Sequence, residues 1–307
     1  MPATNRRVFY ACHAVAIKQE PSGSATTVQG AQSVGVTTNF NLEQGFQLGH
    51  LSVYDNIVAN PQVELTLSKA LDGYDTIYKL ATGGGTLISN ANDTVEVTLG
   101  VGEDTRSQLG GGTAIKMTGM TISSLSYTFP TDGNFTEDVT FIGTHKVSTT
   151  QISAPTYSGA HILRRQNFVQ GSSTLPAEVS GQNIQSITIS ADITREEIFK
   201  LGQYAPFFRS ISFPLEITTE IEIIAKDHDE IYVDGSDVAC TGGATLPAEQ
   251  TIRLVLCDGT GNASRYIFDL GSKNTISSVN YTGGDTGGGN VAITYTYTTY
   301  NTLDITG

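Results

Sequence analysis

Two stretches of this chain occur twice, at nearly the same separation. Gln32 lies over Gln185, 153 residues further on. In that register Ser33 meets Ser186, Val34 meets Ile187, Val36 meets Ile189, Asn39 meets Asp192 and Phe40 meets Ile193. Glu43 then falls on Glu196, Phe46 on Phe199, Leu48 on Leu201, Gly49 on Gly202 and Pro61 on Pro214. Further along, Thr121-Ile122-Ser123-Ser124-Leu125-Ser126-Tyr127 matches Thr275-Ile276-Ser277-Ser278-Val279-Asn280-Tyr281 at 154 residues, with five of seven residues identical. Two matches in the same order, at separations one residue apart, point to a tandem duplication with one loop insertion. For 307 residues this gives two domains, 1–150 and 155–307, each long enough to bury its own core.

The matched residues are patterned mainly as strands. Val34, Val36 and Thr38 alternate with Ser33, Gly35 and Thr37, and Ile187 and Ile189 alternate in the same way. Leu125, Tyr127 and Phe129 alternate with hydroxyl residues, and Val139 and Phe141 resume the pattern after the turn residues Asp132-Gly133. Val279 and Tyr281 lead through the loop 283–290 to Ile293, Tyr295 and Tyr297, which alternate with threonines. Period two marks strands with one buried face. The segment from Ser148 to Gly181, with Pro155 and Pro176, reads as the linker and the first strand of the second copy.

One short helix is expected in each copy. Thr194 and Glu197 have the spacing of a capping box, Ile193 and Ile198 that of a hydrophobic staple. Asn41 and Gln44 take the capping positions in the first copy, where Gly45 replaces the staple residue. Gly49 and Gly202 stand where a left-handed C-cap is needed. Helices of about seven residues are too short to stand alone, so Phe46, Leu48, Phe199 and Leu201 are expected to hold them on a sheet.

Charge is sparse and acidic. Charged residues are 15% of the chain, with 17 Lys and Arg against 30 Asp and Glu, a net charge of −13. Such a surface lacks the clustered cations that grip nucleic acid or an anionic membrane, and low charge suits protein–protein contacts. No apolar run reaches the length of a membrane helix. Arg6-Arg7 followed by Val8–Ile17 faintly resembles a secretory signal, but His13 and Cys12 interrupt it, and a first strand is the expectation. Cys12, Cys240 and Cys257 are too few and too far apart for a zinc knuckle or a disulfide framework.

Signals for chemistry are weak. The chain has no G-x-S-x-G, H-E-x-x-H, Walker or G-x-G-x-x-G pattern. His13, His50, His145, His161 and His228 are scattered, and Glu196–Glu197 point different ways on the expected helix. Asp227-His228-Asp229-Glu230 with Asp234 could offer oxygen ligands to Ca²⁺, although the spacing is not that of an EF-hand and an acidic turn is the expected reading. Asp258-Gly259-Thr260-Gly261-Asn262 reads as a tight turn. The expectation is therefore a protein with no catalytic, cofactor or metal residues.

Gln32-Ser33-Val34-Gly35-Val36-Thr37-Thr38-Asn39-Phe40-Asn41-Leu42-Glu43-Gln44 with Phe46-Gln47-Leu48-Gly49 resembles tail tube (major tail) proteins of tailed bacteriophages. So do Ile189-Ser190-Ala191-Asp192-Ile193-Thr194-Arg195-Glu196-Glu197 and Phe213-Pro214-Leu215-Glu216-Ile217-Thr218-Thr219-Glu220 in the second half. These segments cover about a third of the chain. The resemblance implies, per copy, a β-sandwich with a flanking helix and long hairpins that join a ring. Stacked rings form a tube in the virion tail, made in the host cytoplasm, through which DNA passes without specific binding. Partners would be further copies and other tail proteins, with no membrane involved. If a ring needs six domains, a two-domain chain closes as a trimer of pseudo-sixfold appearance. A hexamer with one copy decorating the outside is the alternative. Other phage shell roles (sheath, tail terminator, capsid decoration) and a carbohydrate-binding or adhesin β-sandwich remain open at this point.

Overall fold

The computed structural model describes residues 13–90, 92–102, 113–155, 161–203, 205–225, 248–259, 264–283 and 290–307. The first half contains β1 (His13–Gln19), β2 (Thr26–Thr27), β3 (Ala31–Asn39), β4 (Leu42–Phe46), β5 (Val53–Val58) and β6 (Gln62–Ala70). Then come α1 (Ile77–Thr82), β7 (Gly85–Thr86), α2 (Leu87–Asn90), β8 (Val95–Val101), β9 (Thr113–Pro130), β10 (Thr136–Gly143) and β11 (His145–Thr149). The second half contains β12 (Asn183–Asp192), β13 (Arg195–Ile198), β14 (Phe208–Ile211) and β15 (Glu216–Ile224). It closes with β16 (Arg253–Leu256), β17 (Tyr266–Asp269), β18 (Thr275–Thr282), β19 (Ala292–Tyr300) and β20 (Asp304–Thr306). The fold is mainly β, with antiparallel pairing throughout.

One sheet runs through both halves in the order β18-β19-β15-β12-β9-β10-β6-β3. Period-two patterning decides its two faces, as the sequence predicts. Leu125, Tyr127 and Phe129 of β9, Ile187 and Ile189 of β12, and Ile293, Tyr295 and Tyr297 of β19 point into the core. β9 is 18 residues long and serves two sheets. Its second half pairs with β10 and β12, and its first half with β8 and β11. β1 extends that smaller sheet through β8. β16, β17 and β20 of the second half form a four-stranded sheet with β7 of the first. The segment read as linker and first strand holds no such strand: among its described residues after β11 it has two short 3-10 turns, Arg165–Asn167 and Gln170–Ser172, and reaches the sheet only through single bridges from Phe168 and Thr174 to β16. The smaller sheets and α1 share one apolar core with the large one.

The expected helices over Asn41–Gly49 and Thr194–Gly202 are not helices but hairpins, β4–β5 and β13–β14. The capping groups serve other ends. Glu197 accepts from Arg209 Nε across the hairpin at 2.9 Å, and the Thr194 carbonyl accepts from Ser212 N at 3.0 Å. Gly49 and Gly202 do have positive φ, 88° and 86°, but at hairpin turns rather than at C-caps. A seven-residue helix gains little by itself, whereas the Val53–Val58 and Phe208–Ile211 stretches offer β-branched and aromatic ladder partners. Phe46, Leu48, Phe199 and Leu201 do not pack on a sheet: all four are exposed, Leu48 and Leu201 completely.

The helix that does flank the sheet is α1. Thr76 caps it by accepting from Lys79 N at 3.0 Å, and Gly83 closes it by donating to Lys79 O at 2.7 Å. Glu137 of β10, wholly buried, accepts from Ile77 N at 2.6 Å, Tyr78 N at 2.9 Å and the Tyr127 hydroxyl at 2.8 Å. A carboxylate at a helix N-terminus satisfies donors that the helix leaves open. Nearby, Lys69 Nζ is buried against Asp72 at 2.7 Å. Burial pushes the Glu137 carboxyl above its usual range, and the donors from Tyr78, Ile77 and Tyr127 offset this only in part.

Glu137→Ala strands three buried donors and should cost about 3 kcal/mol in urea unfolding. The raised carboxyl adds a pH signature. Its contribution is full below the ordinary glutamate range and is lost as pH rises through the folded value. The stability difference between wild type and Glu137→Gln is therefore expected to fall as pH rises, measured by unfolding across the acid range.

Candidate assembly surface

Three features meet at the margins of the large sheet. The first is a seated hairpin. β13–β14 leaves the end of β12 and lies on the first half of the chain. Ile193 N donates to Ser123 O at 2.7 Å, and Arg195 donates to Ile122 O from Nε at 3.2 Å and Nη2 at 3.1 Å. Arg209 Nη1 reaches Gly119 O at 3.5 Å while its Nε holds Glu197. Burial, then the neighbouring Arg209, lowers the Arg195 pKa to about 10. Ile193 is 3% exposed in this seat. The β4–β5 hairpin has a different surface. Phe40, at its base, is 58% exposed, and Leu42, Tyr54 and Ile57 are exposed as well. An open cleft separates the hairpins, lined by Asn41, Glu43 and Gln62 on one side and Glu197 and Phe199 on the other.

The second feature is a pair of sheet edges. β3 and β18 end the eight-strand path, and among the described residues each pairs on one side only, with β6 and with β19. Neither strand contains a lysine or a proline, residues that commonly blunt such edges. Val34, Val36 and Val279 are half-buried, and Tyr281 is 45% exposed.

The third is the sheet face away from the core. Its charged residues are Glu64, Asp138, Asp192, Glu216, Glu220 and Glu222, set among Ser124, Ser126, Thr188, Thr218, Thr294, Thr296 and other hydroxyls. Two lysines occur in these eight strands: Lys69 of β6 turns into the core, and Lys116 lies in the first half of β9, in the smaller sheet, paired with Glu96 at 3.5 Å. The face is a broad acidic and hydroxylated surface.

The residues considered for chemistry are not brought together. His13 starts β1, His50 lies at a hairpin turn, His145 starts β11 and His161 lies in a loop. Asp227, His228, Asp229, Glu230 and Asp234 lie outside the described residues, as do Cys12 and Cys240. Cys257 is free and half-buried. Among the described residues no cluster of His, Cys, Asp and Glu could hold a metal, and no helix is long and apolar enough to cross a membrane. Sequence reading missed the arginine anchors of the seated hairpin, because Arg195 and Arg209 become neighbours only when β13 pairs with β14. It also missed α1, whose signal is Thr76 followed by Ile77, Leu80 and Ala81.

No protein-family model matches the chain, and no curated protein sequence matches it. Among solved structures, a chain of the anti-feeding prophage (AFP) baseplate, in its six-fold symmetrised cryo-EM structure, is similar at a TM-score of 0.34 and 9% identity. The match covers 49% of this chain and 97% of that one.

Arg195→Ala removes the two donors that hold β13–β14 on Ile122. The expected result is faster amide exchange over residues 193–198 and a loss of about 1–2 kcal/mol. Hydrogen exchange with mass-spectrometric readout measures the first and urea unfolding the second.

Proposed function

We propose that this chain is a structural protein of a phage tail tube, a tandem duplication of which three copies close into a ring. Irregularities at matching places support the duplication. The β3–β6 ladder shifts register between Ala31 and Ser33, and the β12–β15 ladder between Ile184 and Ser186, 153 residues on in both cases. The β9–β10 ladder skips Ser123, and the β18–β19 ladder skips Ser277, 154 residues on. The hairpin bonds Ala59 N→Asn41 O and His50 N→Gln47 O recur as Ser212 N→Thr194 O and Gln203 N→Lys200 O. The strand order β18-β19-β15-β12 matches β9-β10-β6-β3 position by position. Bulges are devices kept within a family rather than accidents, so their coincidence carries more weight than shared β content.

The single observation that carries the ring is how the two halves join. β12, the last strand of one set, pairs with β9, the first strand of the other. That contact is head-to-tail, and head-to-tail contacts make rings where the rotation closes. The outer edges β3 and β18 are the counterparts of β12 and β9, so the same join can be made between chains. In the internal join Ile189 lies opposite Tyr127, which places Val36 opposite Tyr281 of the next chain. Both halves contribute four strands to one sheet, which favours three chains per ring over six with one half set aside as decoration. Three chains give 24 strands, a barrel about 45 Å across at the backbone.

In such a barrel the small sheets and α1 cover the outside, and the acidic, hydroxylated face lines the bore. Carboxylates there repel the phosphates of passing DNA, and hydroxyls keep the surface wet. The role is structural rather than catalytic, which fits histidines that sit on separate elements.

The test is a Val36→Cys/Tyr281→Cys pair in a background with Cys12, Cys240 and Cys257 changed to serine. Oxidation of assembled protein is expected to give covalent trimers on a non-reducing gel. Monomers alone, from particles seen as rings, would count against this edge pairing.

A further inference from the structure

We propose that the β4–β5 hairpin seats on a second copy of this chain, over the start of its β18, through an apolar contact at Phe40 and Leu42 that replaces the arginine anchors used inside the chain. The inference rests on the ring reading above and adds a surface to it. Position by position, the seated hairpin gives the template. Ile193, 3% exposed and bonded to Ser123 O, corresponds to Phe40, 58% exposed. Arg195, which holds Ile122 O, corresponds to Leu42. Arg209, which reaches Gly119 O, corresponds to Asn56, and its partner Glu197 corresponds to Gln44.

The receiving side translates in the same way. Ser123, Ile122 and Gly119 correspond to Ser277, Ile276 and Lys273. Ile276 is half-buried against the core, and Lys273 is exposed. Phe40 follows directly on the last residue of β3. Once β3 pairs with β18 of the next chain, the hairpin has to emerge over the start of that strand, as β13–β14 emerges over Ser123. Phe40 N then meets Ser277 O, Leu42 lies over Ile276, and Asn56 lies beside Lys273, all of the second copy. Apolar groups exposed at Phe40 and Leu42 leave water there, with no charge to desolvate. The ring would then alternate three internal seams, anchored by arginine, with three seams between chains held by Phe40 and Leu42.

Asn56→Cys/Lys273→Cys in the cysteine-free background, treated with a short bis-maleimide, tests the seat. Covalent trimers are expected from assembled protein. The Val36→Cys/Tyr281→Cys pair is run in parallel. If that edge pair links chains and the Asn56/Lys273 pair does not, or links only within a chain, the hairpin seat is wrong and the ring stands. If neither pair links chains, both fall. Leu42 gives an independent readout. Leu42→Arg, which supplies the residue used at the internal seam, should still assemble, whereas Leu42→Asp should need on the order of tenfold more protein for half-assembly. Assembly of Leu42→Asp at the wild-type concentration would overturn the proposal.

Discussion

A strand at the edge of a sheet carries a row of N–H and C=O groups that bond to water, to a cover or to another strand. Everything distinctive in this molecule turns on where those rows lie. β9 and β12 are the edges of their own four-strand sets, and they cancel each other at the middle of the chain. The same two kinds of edge recur at the ends, as β18 and β3, with no lysine or proline to blunt them. The proposed ring would solve the edge problem between chains in the way β9 and β12 solve it within one. Tyr127 is wholly buried beside β12, whereas its counterpart Tyr281 is 45% exposed. In the proposed ring that difference is the side-chain surface a second chain would cover.

The two halves are equivalent in connectivity and unequal in chemistry. α1 is fixed in the first half by Glu137, Tyr127 and Thr76, and burial holds that carboxyl above its usual range. The position of Tyr127 has a tyrosine again, Tyr281, but Ile293 faces it across the ladder where Glu137 faces Tyr127. The hairpins diverge in the same sense, with arginines at 195 and 209 against Leu42 and Asn56. In the proposed ring a duplication would relax the demand that every neighbour be identical, leaving one seam free to use charge and the other apolar contact. In that ring, joining the copies covalently would make one of each two seams intramolecular and raise its effective concentration.

The strands were legible from the sequence because period two is a strong local signal and the core residues of β9, β12 and β19 obey it without interruption. The fate of residues 41–49 and 194–202 was not. A capping box and a glycine stop are local patterns, and they fitted a helix as well as they fitted a hairpin base and its turn. What decides the outcome lies further along the chain, in β5 and β14, whose ladders outweigh a seven-residue helix. The assembly surface was half legible: the repeat named β3 and β18 as counterparts of β12 and β9, but only the pairing of β12 with β9 shows that both edges are open. Glu137 read as one more acidic residue because nothing in sequence brings Ile77 and Tyr127 to it.

How one chain meets the next is measured directly by a reconstruction of the assembled particle. It should show three chains in each ring, with β3 of one chain hydrogen-bonded to β18 of the next and Val36 opposite Tyr281. Six chains in a ring, or a ring in which β3 and β18 remain apart, would contradict the proposed ring.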